Sequence, residues 1–500
     1  MSILSAEFLL FGVAVVLCYY ITPLRLRWGT LLVASVGFAA LSGWQTIAHL
    51  AALTALTWGG AWALQKLRRG RRLLLAALLA LDLGAMLLLK YQPALAAWLN
   101  ARFGTQRNPV WSVWELALPL GLSYFTFQSA GYLVDVYRGK AAAQRNPARV
   151  GLFLGFFPQL AQGPISTWKE LAGQLTQGHA FDPVEFVSGF QLLLWGYFKK
   201  MVVADRLAPT TEALLKNEAM PGLSIMLCVA LYAIRLYMDF SGGMDVARGF
   251  CGMLGIRLPL NFKRPFFAQS VAEYWRRWHI TLGAWFRSYV LYPLTISRAG
   301  IALGAWAEKW LGKRAGRVLP SALATLCVFL LIGLWHSVSW NAVLYGGYFG
   351  LVMALSMLLE PLWKALRRGL KLPKSGWMRP VRVARTWLVV GFAQYFAFQD
   401  SAQTSFALLR QSFENWQLRD AAAQLTALMP GLEWGIALAG AMAVLAVDLL
   451  CERKVDVCGV LARGRVWIRW PLMLLLLLAV LIFGVYGAGY DATAFLYTQF

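Results

Sequence analysis

Apolar residues gather into long blocks along this chain, without the half-polar faces that soluble helices and strands present. Phe8–Ile21 with its flanking residues, Leu73–Leu89, Val318–Trp335 and Trp470–Gly484 are the clearest. A helix crosses a bilayer with about 17–25 mainly apolar residues, each rising about 1.5 Å. By that measure the pattern predicts about eleven spans, and the shorter apolar stretches left over are expected as re-entrant or interfacial helices. The fold class is therefore all-α, a polytopic membrane protein. Residues 1–137 read as five N-terminal spans with short connections, 138–360 as the core and 361–500 as the closing spans of a single domain over 1–500. No internal repeat is visible, and no segment is large enough to fold alone as a soluble unit.

The rhythm breaks inside 138–360. Residues Phe157 to Pro183 are too polar and too few for regular spanning. A span ends at Lys199–Lys200, and another apolar run covers Leu223–Tyr237. From Asp239 to Arg298 the chain interleaves aromatics with Asp239, Asp245, Arg248, Lys263, Arg264, Glu273, Arg276, Arg277, His279 and Arg287. Such a stretch cannot cross lipid as one exposed helix. Charge at membrane depth is tolerated where protein buries it or a wet cavity receives it. A clean hairpin follows, Val318–Trp335 out and Ala342–Leu359 back.

Composition agrees with lipid as solvent: 59% of residues are hydrophobic and 14% charged, against about 45–50% and 25% in soluble domains. The net charge of +24 informs through its placement. Basic clusters fall at 25–27, 66–72, 138–149, 313–317, 367–385 and 453–469. Loops rich in Lys and Arg stay in the cytoplasm, which puts the N-terminus and the stretch from about Asp400 to Glu433 outside. That topology accounts for most of the charge, so nucleic acid is not needed as a partner. The basic face would still attract anionic lipid headgroups, a coenzyme phosphate or an acidic carrier protein. No cleavable signal is expected, because the first apolar run lacks a basic lead and is followed by Arg25 and Arg27. The cysteines Cys18, Cys228, Cys251, Cys327, Cys451 and Cys458 show no metal-ligand spacing and read as small packing residues.

Candidate chemistry is sparse. Four histidines occur, His49, His179, His279 and His336. His336 closes an apolar span in LIGLWHSVSWN; His279 lies in EYWRRWHITLGAWF, where Trp275, Trp278 and Trp285 are spaced to share a helical face. Histidine is the side chain suited to taking a hydroxyl proton near neutral pH. Each also has a plainer reading: His336 as part of an interfacial aromatic belt with Trp335 and Trp340, and His279 on a basic helix at the headgroup surface. His49 reads as structural and His179 as a loop residue without an identifiable partner. No GxSxG elbow, P-loop or HExxH motif is present. A base without a protein nucleophile suits direct transfer between two bound substrates.

The stretch Asp239–Leu294 resembles the core of the membrane-bound O-acyltransferase (MBOAT) family, of the bacterial alginate O-acetyltransferase and teichoic-acid D-alanyl-transfer type. Leu334–Gly350 resembles the segment that carries that family's catalytic histidine, and Pro119–Lys140 and Phe156–Leu175 match two further blocks in order. The end, FLYTQF, is similar to the family's aromatic C-terminus. The resemblance implies helices around a central tunnel, with His336 as principal catalytic residue and His279 as the second functional histidine. Asp239, Trp278, Arg276, Arg277, Trp335, Ser337 and Asn341 are the accompanying substrate- or donor-binding candidates. Lys263 and Arg264 join the two arginines as possible phosphate contacts, or as ordinary cytoplasmic-side charge.

Four departures leave the acceptor open: Gly242, Gly243 and Met244 follow Ser241 where the family has Gly-Tyr-Ser, Leu260 replaces its Glu, Ser337 its Gly, and TISRAG after Leu294 stands where alginate-type members commonly have Gly-Gly-Asn-Arg. The implied donor is an acyl thioester, acetyl-CoA or an acylated carrier protein, with no bound cofactor and no metal. The implied acceptor is an exported polysaccharide or a secreted acyltransferase partner, at the cell membrane of a bacterium. O-acetyl transfer, D-alanyl transfer towards teichoic acid, and a transporter without acyl chemistry are the three readings. The lack of visible inverted repeats counts against the last.

Overall fold

The computed structural model describes residues 2–103, 118–215, 220–370, 376–397, 399, 401–487 and 490. Residue 400, where the expected external stretch begins, and the terminal FLYTQF segment lie outside the described residues.

Among the described residues the chain is helical throughout. Eight helices are long and apolar enough to cross a membrane: Leu24–Leu41, Trp44–Lys66, Arg71–Phe103, Gly222–Met253, Lys313–His336, Trp340–Leu358, Gly431–Glu452 and Val466–Phe483. Several expected spans are instead 15 or 16 residues long: Ala6–Ile21, Leu122–Tyr137, Pro183–Tyr197 and Arg379–Gln394. At about 1.5 Å per residue these reach about 24 Å, short of a full hydrocarbon core. Leu122–Tyr137 is buried by protein over most of its length.

Two helix pairs make the frame, and both depend on glycine. Pro183–Tyr197 packs against Gly222–Met253, where a Cβ on Gly189 would sit 2.6 Å from the Gly249 carbonyl and one on Gly196 2.6 Å from the Gly242 carbonyl. In lipid, where no hydrophobic force joins helices, such small-residue seams supply close van der Waals packing. The second pair is the expected hairpin, Lys313–His336 and Trp340–Leu358. Here a Cβ on Gly333 would strike the Ala342 carbonyl. Ser339 caps the returning helix by accepting from the Ala342 N–H at 3.1 Å.

The charged stretch departs from expectation in a useful way. The apolar run Leu223–Tyr237 and the polar residues after it form one helix, Gly222–Met253, carrying Asp239, Asp245 and Arg248. It can do so because protein buries most of its length, Asp239 included. The charges are answered locally. Past Tyr197 the chain widens into a π-helical turn, Phe198–Ala204, with both lysines buried. Lys200 Nζ lies 2.5 Å from Asp239 and 2.7 Å from Asp205, and Lys199 Nζ lies 2.7 Å from Asp245.

A second departure concerns the tryptophans. The helix Val271–Arg277 ends before His279, and a new one runs Ile280–Phe286, so Trp275, Trp278 and Trp285 do not share a helical face. His279 itself takes the left-handed conformation, φ 44°. That conformation is rare outside glycine. Asn261 holds it: its carbonyl accepts from the Ile280 N–H at 2.9 Å, and its side-chain oxygen accepts from the Thr281 N–H and hydroxyl at 3.1 and 2.9 Å.

Candidate active site

The break at His279 turns its side chain inward. His279 is buried, its Nδ1 lies 3.2 Å from Asn261 Oδ1, and its ring packs edge-on to Phe240 at 5.0 Å between centroids. It therefore belongs to the interior and not to a headgroup-surface helix. His336 is the last residue of the outgoing hairpin helix, and the Ser337 N–H closes that turn on the Gly333 carbonyl at 3.2 Å.

One indole joins the two histidines. The Trp335 ring lies 4.6 Å from the His336 ring and 6.5 Å from the His279 ring, with Phe127 beside it at 5.7 Å. Residues 57 positions apart thus converge on a single aromatic wall. Aromatic rings make most of the wall, with the polar Asn261 beside His279 and with Lys90 and Tyr91 on the backbone next to the half-buried His336.

The other predicted site residues divide into those near this wall and those spent on structure. Trp278 is buried and stacks on Tyr274 at 5.6 Å, packing also against Phe262. It lines a cavity with Pro265, Phe266, Tyr274, Trp387 and Gln394 that neither histidine lines. Asn341 anchors the hairpin turn: its amide donates to the Gln399 carbonyl and its oxygen accepts from Ser405 at 3.2 Å. Asp239 is fully buried against Lys200, away from any exposed face.

The four basic candidates separate just as clearly. Arg277 binds Glu273 at 2.7 Å and Glu452 at 2.5 Å, and Arg264 binds the same Glu452 at 2.9 Å. Arg379 adds a third arginine to that carboxylate, at 2.9 Å. Glu452 therefore ties the charged segment to the end of Gly431–Glu452. Arg276 and Lys263 are exposed.

Of the remaining histidines, His49 packs its ring against Phe125 at 5.4 Å. His179 has partners that its loop sequence did not disclose. Its ring lies 2.8 Å from the Gln174 carbonyl, its N–H donates to the Tyr19 hydroxyl at 3.1 Å, and its carbonyl accepts from Arg27. It closes a loop against the first helices.

Four contributors escaped the sequence reading. Asn261 shapes the His279 turn, Glu452 gathers the arginines, and Lys90 with Tyr91 reach the backbone beside His336. Lys90 carried the one available signal, a lone cation directly after the Leu73–Leu89 run.

Comparison with known proteins decides the family. The chain is 32% identical over 425 residues to a probable alginate O-acetylase of Azotobacter vinelandii, covering 82% of this chain and 78% of that protein. It belongs to the MBOAT family. The family profile, described as MBOAT, membrane-bound O-acyltransferase family, matches residues 111–304. A peptidoglycan O-acetyltransferase of Helicobacter pylori is 28% identical over 284 residues, 51% of each chain. A teichoic acid D-alanyltransferase of Bacillus subtilis is 25% identical over 286 residues, 55% of this chain and 67% of that one. The protein is thus a multi-pass membrane-bound O-acyltransferase with bacterial relatives, and acyl-group transfer is its chemistry.

Proposed function

We propose that this acyltransferase moves an acetyl group from a cytoplasmic thioester to a hydroxyl of an exported cell-surface polysaccharide, or of an exported partner protein that completes the transfer. The observation that carries the reading is the convergence of His336 and His279 on the Trp335 indole at the end of a membrane hairpin. The greater identity and coverage of the Azotobacter alginate O-acetylase favour acetyl over D-alanyl.

In this reading His336 accepts the acceptor's hydroxyl proton. The oxygen attacks the thioester carbonyl, forming a C–O bond. The C–S bond then breaks, and the leaving sulfur takes the proton back from the imidazolium. No net proton is consumed. Base catalysis of this kind contributes about 10²–10⁴-fold. Holding both substrates in line contributes the larger remainder. His279, packed against the same indole, orients the thioester or the acceptor. Arg276 and Lys263, exposed at the edge of the charged segment, meet the phosphates of the donor at the basic cytoplasmic face.

The test is acyl transfer in membrane vesicles with labelled acetyl-CoA and, separately, with an aminoacylated carrier protein, comparing wild type and His336→Ala. Loss of acetyl transfer in a mutant that still folds supports the reading. Turnover with the charged carrier alone moves the function to D-alanyl transfer. Full activity of His336→Ala removes His336 as the base.

A further inference from the structure

The helix that ends on His336 ends inside a membrane protein, and that creates a specific problem. The last carbonyls of any α-helix have no intrahelical donor. At membrane depth an unanswered carbonyl is costly, because no water reaches it. The Gly333 carbonyl is met by the Ser337 N–H. The next two, Leu334 and Trp335, are met from a different helix, Arg71–Phe103. The Tyr91 hydroxyl lies 2.6 Å from the Leu334 carbonyl and 2.7 Å from that of Trp335. Lys90 Nζ donates to the Trp335 carbonyl as well. The same ammonium lies 5.0 Å from the centre of the Trp335 indole.

We infer that Lys90, assisted by Tyr91, is the positioning residue of the candidate base: it fixes the Trp335–His336 peptide plane and the Trp335 ring, and through them the direction of the His336 imidazole. This rests on the reading of His336 given above. Three physical points carry it. The peptide that Lys90 and Tyr91 grip is the one from which the His336 Cα departs, so its rotation is the imidazole's rotation. The indole under the ammonium is the wall both histidines share, and a cation over a tryptophan face is an attractive contact, stronger when desolvated. A positive charge at a helix C-terminus also complements the dipole of the helix it caps. A lysine in a lipid-spanning segment is expensive to keep for packing alone, and here its head group is directed at the backbone of one functional turn.

The experiment measures acetyl transfer by purified protein in vesicles of fixed lipid composition, per folded molecule, for Lys90→Met, Lys90→Arg, Tyr91→Phe and His336→Ala. Misplacement of a catalytic group by about 1 Å costs on the order of 10²-fold, so Lys90→Met should lose kcat by roughly that factor while the KM for donor stays near wild type. Lys90→Arg keeps the charge and donors and should recover most of the loss. Tyr91→Phe removes one donor, leaves the ammonium in place and should show a smaller fall in kcat of the same kind, which serves if Lys90→Met does not fold. In the His336→Ala background, Lys90→Met should cost nothing further. Wild-type kcat in both Lys90→Met and Tyr91→Phe overturns the inference even if His336→Ala is dead. An active His336→Ala overturns the function reading first, so the two failures are distinguishable.

Discussion

The two glycine-seamed helix pairs solve the same packing problem and put it to opposite use. In one, Pro183–Tyr197 lies on Gly222–Met253, and the closeness of the backbones brings lysines and aspartates into contact with each other. In the other, Lys313–His336 lies on Trp340–Leu358, and the seam ends on an imidazole among aromatic rings. The first pair is rich in charge and settles its charges internally. The second keeps its charges, Lys313, Arg314 and Arg317, at the end away from His336, and leaves a titratable group beside an indole. Ionisable residues at membrane depth are functional hypotheses by default, and this molecule shows how to sort them. A carboxylate fully buried against a lysine is framework. A histidine at the end of an apolar helix, with a neighbour's cation on the carbonyl just before it, is the proposed place of the chemistry.

The sharpest way to break that contrast is at its proposed catalytic end. His336→Ala should lower acyl transfer by about 10²–10⁴-fold while the protein keeps its elution profile and melting temperature. Equal activity would place the chemistry elsewhere in the core.

At the charge-rich end the expected effect is on folding instead. Asp239→Asn removes one partner of a pair in which both side chains are shielded from solvent. Stripping one member of a buried pair costs about 3–5 kcal/mol, with the low end expected because Asp205 still faces Lys200 at 2.7 Å. A fall in melting temperature with unchanged activity per folded molecule fits framework; a loss of kcat at unchanged stability would make Asp239 part of the site.

Much of this division was legible in the sequence, and its limits have physical causes. The apolar blocks gave the helices, since length and hydropathy are local properties. The hairpin ending on His336 was visible because a span and its return differ in nothing but a short polar turn. Ion pairs were not visible: Lys200 and Asp239 are 39 positions apart, and the pairing appears only when two helices touch along glycines. The His279 break was missed for a related reason. Trp275, Trp278 and Trp285 have helical spacing, yet Asn261 supplies the hydrogen bonds that hold a left-handed residue between them. Partners distant in sequence overrode a correct local period.

The glycine seam offers a milder test, with a built-in control. At Gly249 a Cβ would lie 2.6 Å from the Gly189 carbonyl, whereas at Gly59 it would meet nothing within 4 Å. Gly249→Ala should therefore destabilise by about 1–3 kcal/mol through overpacking. Gly59→Ala, in the middle of Trp44–Lys66, should stabilise by up to about 1 kcal/mol through helix propensity. Equal shifts in melting temperature for the two would mean that the seam is looser than the backbone distances require.

The smallest effect separates two adjacent arginines that the sequence treats alike. Arg277 is committed to Glu273 and Glu452, and Arg276 is exposed beside it. Replacing Arg277 leaves the Glu452 carboxylate with Arg264 and Arg379, so Arg277→Ala should weaken the fold moderately and change donor KM little. Arg276→Ala removes a cation that is free to meet phosphate, and an exposed contact of that kind is worth about 1 kcal/mol or less. That corresponds to a rise in donor KM of no more than about fivefold, diminishing as salt screens the contact. A KM effect at Arg277 with none at Arg276 would reverse the assignment, and would put the donor's phosphates on the Glu452 side of the segment.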